Sequence, residues 1–106
     1  MKKIVRKVYT IHAETYSFEL TPETIKEIER YANYPWNVEK YGEIKDITEE
    51  EIISLFGKNR KSPILMNTRE ARICDALDSY LWDQDYEDEY ICNDDTATWE
   101  DEIIED

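Results

Sequence analysis

Hydrophobic and polar positions change period several times along this chain, and each change marks an element. Residues 4–12 (IVRKVYTIH) are β-branched and aromatic, the composition of a strand. Residues 15–20 (TYSFEL) alternate strictly and place Tyr16, Phe18 and Leu20 on one face. A short turn around Ala13 and Glu14 would join the two as an antiparallel hairpin, with no glycine to mark it. Thr21 and Pro22 then open a helix. Thr is a good N-cap, Pro fits the first helical position, and Glu23 sits near the positive end of the helix dipole. Ile25, Ile28, Tyr31 and Ala32 follow at helical spacing, and Pro35 stops the helix near residue 33.

Residues 34–47 carry the weakest period, with Gly42 marking a turn. Thr48 to Glu51 reads as a capping box, and Ile52, Ile53 and Phe56 make a second short helix closed by Gly57. Residues 58–62 (KNRKS) form a basic loop, and residues 63–66 a short strand. Asn67 or Thr68 caps a third helix with Ile73, Cys74, Leu77, Tyr80 and Leu81 on its apolar stripe and Asp75, Asp78 and Asp83 facing outward. Beyond it, EYICN reads as a strand, and TWEDEII as a strand or a closing helical turn. The expected fold is α+β: an N-terminal antiparallel β-hairpin, three short helices, and an acidic C-terminal segment with some β character. With 106 residues and no repeat or linker, the chain is one domain. Residues 1–82 form its scaffold, and residues 83–106 an acidic, aromatic segment frayed at its end.

Charge sharpens this picture. Charged residues are 37% of the chain, against about 25% in ordinary soluble domains. Thirteen bases face twenty-six acids, a net charge of −13. Such a chain lacks the basic footprint of a nucleic-acid binder and is not drawn to anionic lipid. Its basic opening is interrupted by Arg6, Lys7, His12 and Glu14, unlike a secretory signal, so the expected location is cytoplasmic. Cys74 and Cys92 are then read as reduced. The imbalance is also uneven. Residues 1–30 hold six bases and five acids, residues 31–62 five and six, and residues 63–106 two and fifteen. After Arg72 there is no base at all, while fourteen carboxylates follow. Pure charge would make this ending a disordered tail, but Tyr86, Tyr90 and Trp99 with Ile91, Ile103 and Ile104 argue for order.

Candidate chemistry is sparse. The one histidine, His12, falls inside a strand pattern, where a structural role is the ordinary one. No serine elbow and no glycine-rich phosphate loop occurs, and neither cysteine has a basic neighbour in sequence. Asp83, Asp85 and Glu87 begin the rhythm of a calcium loop. Asp88 stands where that loop needs glycine, and Asp94 where it needs a bidentate Glu. The expectation is no catalysis, no cofactor and no metal.

The acidic segment has another physical use. Duplex DNA carries about one negative charge per 1.7 Å of axis, so fourteen carboxylates match the charge of roughly 24 Å of duplex. Tyrosines and tryptophans among them would act as rigid anchors, and carboxylates accept paired guanidinium contacts. Asp75, Asp78, Asp83, Asp85, Glu87, Asp88, Glu89, Asp94 and Asp95, with Tyr80, Trp82, Tyr86 and Tyr90 among them, make the chain resemble the acidic phage-type nucleic-acid mimics, the anti-CRISPR and anti-restriction inhibitors. The resemblance is compositional and covers less than half the chain. It implies a non-catalytic inhibitor that blocks access of DNA or guide RNA to a basic nucleic-acid-binding protein, such as a defence nuclease. The expected binding set is Asp75, Asp78, Asp83, Asp85, Tyr86, Glu87, Asp88, Glu89, Tyr90, Asp94 and Asp95. The same residues suit an immunity-type protein that neutralises a basic toxin. A further alternative is a protein–protein adaptor that uses a strand edge or helix face, its acidic surface only solvated, for which Lys2, Lys3, Arg6 and Lys7 would matter as much as the acids.

Overall fold

The computed structural model describes residues 2–10, 12–56, 68–90 and 98–105. Strands β1 (Lys2–Tyr9) and β2 (His12–Leu20) pair antiparallel, with Lys2 opposite Leu20 and Tyr9 opposite Ala13. The chain therefore reverses between Tyr9 and His12, earlier than the expected turn at Ala13 and Glu14. A hydroxyl does what no glycine is there to do. The Thr10 N–H donates to the His12 carbonyl at 2.8 Å, and the His12 N–H donates to Thr10 Oγ1 at 3.2 Å. Ala13 and Glu14 are thereby drawn into the ladder.

Four helices follow rather than three: α1 (Pro22–Ala32), α2 (Pro35–Tyr41), α3 (Glu49–Leu55) and α4 (Arg69–Trp82). Thr21, Thr48 and Thr68 cap α1, α3 and α4, each accepting a backbone N–H from the first turn on its hydroxyl. Gly57, the KNRKS loop, the strand expected at residues 63–66 and the Asn67 cap lie outside the described residues. Strands β3 (Tyr86–Tyr90) and β4 (Thr98–Glu105) complete one antiparallel sheet in the order β3-β2-β1-β4. TWEDEII is thus strand, and the acidic segment supplies both edges of the sheet.

Strict alternation on β2 buries Tyr16, Phe18 and Leu20 on the face that carries the helices. Ile4 and Val8 lie beside them on β1. Against this face pack Ile28 and Ala32 of α1, Ile52 of α3, and Ile73, Ala76, Leu77 and Leu81 of α4. One continuous core results, with α1 and α4 against each other and α4 crossing β2.

The extra helix, α2, has no buried residue, so hydrophobic period could not announce it. Polar contacts from distant residues hold its surroundings instead. Asn33 donates to the Ile44 carbonyl at 2.7 Å and accepts the Ile44 N–H at 2.8 Å, bridging the two ends of the stretch. Arg72, fully buried on α4, donates to the Ala32 carbonyl at the end of α1 and to the Gly42 carbonyl after α2. A cation is favourable where helix carbonyls end without partners. Gly42 permits this by adopting φ +89°, which side-chain-bearing residues rarely do. Among the described residues no helix is long and apolar enough to cross a membrane.

Candidate functional site

The acids of the C-terminal segment divide between two environments. On β4, Glu100 lies opposite Lys7, Asp101 opposite Arg6 and Glu105 opposite Lys2, while Glu102 opposes Val5, between Lys3 and Lys7 on one face. Three carboxylates thus lie directly opposite bases of β1; Asp101 forms an ion pair with Arg6, and Glu100 also accepts the Tyr9 hydroxyl at 3.0 Å. Cross-strand neighbours of opposite charge stabilise a sheet, and the four bases of β1 balance the four acids of β4 in formal charge.

Arg6 is the centre of that half. It is 1% exposed, on the helix-bearing face between Ile4 and Val8. Its Nε donates to Asp101 Oδ1 at 2.8 Å, and its Nη2 lies 2.9 Å from Asp78 Oδ1. The guanidinium carbon sits 5.3 to 5.5 Å from the ring centres of Phe56, Trp82 and Trp99. Nη1 has no hydrogen-bond partner, so the surrounding rings are its compensation. Burying a guanidinium is tolerable only with such company. Asp75, one turn before Asp78, has its carboxyl pushed up by burial first and by the Asp78 charge second.

The other half is the reverse. Here β3 pairs with β2, and Glu14 lies directly opposite Asp88, carboxylate against carboxylate. Glu87 opposes Thr15, and Glu89 opposes Ala13. Together β2 and β3 carry five carboxylates and neither lysine nor arginine. Among the described residues no Lys or Arg pairs with Glu14, Glu87, Asp88 or Glu89. The relief available is local. Tyr16 Oη donates to Glu14 at 3.1 Å, and His12 Nδ1 sits 3.0 Å from Asp88 Oδ1, off the direction of a good hydrogen bond. The Tyr16 phenol is pushed up to about 12, by burial and then by its bond to Glu14.

Aromatic rings cover this half where α4 ends. Trp82, at the last turn of α4, packs edge-on against Tyr16 and against Trp99, and Tyr86 lies 4.9 Å from Tyr16. Tyr90 touches His12 edge-on at 5.5 Å. Tyr86 is 50% exposed and Tyr90 68%, both on the helix-bearing face with Asp88 between them. Glu87 and Glu89 point to the opposite face, as alternation requires. A guanidinium approaching the first face would meet ring planes and carboxylates together.

The expected binding residues are therefore not one surface. Tyr86, Asp88 and Tyr90 share the helix-bearing face, Glu87 and Glu89 the opposite one, and Asp85 leads into the strand as an exposed residue. Asp78 is engaged by Arg6, Asp75 is half-buried, and Asp83 accepts the Tyr31 hydroxyl at 2.6 Å. Asp94 and Asp95 lie outside the described residues. Tyr80 is partly buried against Phe18 and Tyr31, a core-side role.

Glu14 belongs to the site by its register, which nothing in its local sequence announces. A second aromatic surface is also new: Trp36 is 65% exposed and stacks on Tyr34, which continues through Tyr31 to Tyr80. Among the described residues no group of three or more His, Cys, Asp and Glu side chains is placed to hold a metal ion. Comparison of the chain with protein-family models, with curated proteins and with solved structures finds no match.

Proposed function

We propose that this protein is a non-catalytic inhibitor that occupies the nucleic-acid groove of a basic cytoplasmic protein, and that β2, β3 and their aromatic cover make the contact. The observation that carries this reading is the Glu14–Asp88 pair. Two carboxylates face each other across the sheet without a Lys or Arg partner, beside two exposed tyrosines. Like charges directly opposed destabilise a sheet, and an incoming cation relieves them. A groove lined with arginine and lysine for phosphate supplies that cation, and the phenol and indole rings take its guanidinium planes. A CRISPR or restriction nuclease is the partner class that the compositional resemblance implies.

The test is a competition among the partner, labelled duplex and this protein. Duplex should be displaced, binding should weaken as salt rises, and the protein itself should not bind DNA. A complex in which partner, duplex and protein coexist without loss of affinity would exclude mimicry and leave an adaptor.

A further inference from the structure

Strand β3 ends the sheet, and all five of its residues are exposed. Among the described residues no strand pairs with its side away from β2, where every second backbone N–H and C=O points, along roughly 17 Å at the antiparallel rise. Such an edge accepts an added strand unless its side chains forbid it. They forbid a second copy of this chain. Antiparallel pairing of two β3 strands about their centres sets Asp88 on Asp88 and Glu87 on Glu89, all like charges. They invite a basic strand, and the sheet already shows how one is read. On β1, bases come in adjacent pairs, so that Lys2 and Arg6 fall on the helix-bearing face while Lys3 and Lys7 fall on the other. Strand β4 answers them with acids on both faces, Asp101 and Glu105 on one, Glu100 and Glu102 on the other. Strand β3 has the same two-faced arrangement: Asp88 between two tyrosines on one face, Glu87 and Glu89 on the other.

We propose that the free edge of β3 docks an extended strand of the protein partner by main-chain pairing, and that it selects strands whose lysines and arginines are adjacent rather than alternating. An alternating strand puts all its cations on one face and leaves either Asp88 or the Glu87 and Glu89 pair unanswered. An adjacent pair serves both. This rests on the reading of the partner as a basic protein, and it specifies how that protein is held.

Two peptides test it on the intact protein. One has the sequence of residues 2–9; the other has the same number of bases, spaced to alternate with valine. The first should slow exchange of the alternate amides within residues 86–90 that point away from β2, leave residues 98–105 unchanged, and bind about fivefold more tightly than the second. Equal affinity would overturn the selection rule. Protection at residues 98–105 instead, or at neither edge, would overturn the docking edge.

Proline variants supply an independent measurement. Of Asp88→Pro and Glu89→Pro, one removes an N–H that points away from β2, and retained protection of the β2 amides identifies it. That variant should lose at least about tenfold more peptide affinity than the matching Asp88→Asn or Glu89→Gln. Equal loss would mean that charge alone acts and no strand is added. If duplex competition fails while the peptide still protects β3, the edge stands and mimicry falls. If competition holds and the proline has no effect, mimicry stands and the edge falls.

Discussion

Strands β4 and β3 come from one acidic stretch of chain, yet β4 lies against a strand with four bases and β3 against a stretch whose charged or titratable neighbours are one carboxylate, Glu14, one histidine and one tyrosine. The first is a structural use of charge: Asp101 keeps Arg6 company in the core, and Glu100 and Glu105 lie opposite Lys7 and Lys2 on β1. The second has no such use inside the fold. Carboxylates that meet the Tyr16 hydroxyl and His12 but, among the described residues, no Lys or Arg, beside rings that stay exposed, are where binding is to be sought. Composition could not separate the two, because the neighbours that distinguish them are about ninety and seventy residues away in sequence.

Removing the guanidinium from the β1–β4 half should have the largest effect. Arg6→Ala leaves Asp101 and Asp78 facing each other among three aromatic rings, and losses on breaking a buried pair run to about 3–5 kcal/mol. Urea unfolding measures it. Retained stability would show that the charge contact between β1 and β4 is incidental.

A smaller difference comes from exchanging the two edges. Glu100→Gln should cost roughly 0.2–1 kcal/mol by ending its opposition to Lys7. Glu87→Gln with Glu89→Gln should stay within about 0.5 kcal/mol, as surface changes do. Asp88→Asn should stabilise slightly by ending its opposition to Glu14. On the partner, the order should invert. The β3 changes should slow association, and Tyr86→Ala or Tyr90→Ala should speed dissociation, both read by stopped-flow.

Alkaline titration probes the β2–β3 half through Tyr16. Its phenol titrates near 12 when folded and near its ordinary 10 when unfolded, as does that of Tyr31, held by Asp83. The folded state therefore holds these protons longer. Their contribution is fully present below pH 10 and is lost as pH rises toward 12. Melting temperature should fall across that window, and Tyr16→Phe should flatten the fall.

The smallest effect is in acid, where two groups oppose each other. Glu51 is held below its ordinary value of 4.5 chiefly by its bond from Arg69, so its contribution is lost as pH falls through the lowered folded value. Asp75 is raised above 3.8 by burial and then by Asp78, so its contribution is full below that value and is lost as pH rises through the folded one. Glu51→Gln should therefore make mild acid stabilising, and Asp75→Asn should make it destabilising, in melting curves across that range.

Local chemistry was enough to place most elements. The alternation from Tyr16 to Leu20 and the threonine caps at Thr21 and Thr48 are properties of a few neighbouring residues, and the structure keeps them. The α+β class and the strand character of the ending follow from the same short-range rules. Tertiary structure decided what those rules cannot reach. Helix α2 depends on Asn33 gripping Ile44 and on Arg72 reaching two helix ends from α4. Arg6, a base in a basic strand, became a core residue because Asp101 and three rings converge on it from elsewhere. A carboxylate's sequence fixes its charge. Only the strand laid beside it decides whether that charge is already answered.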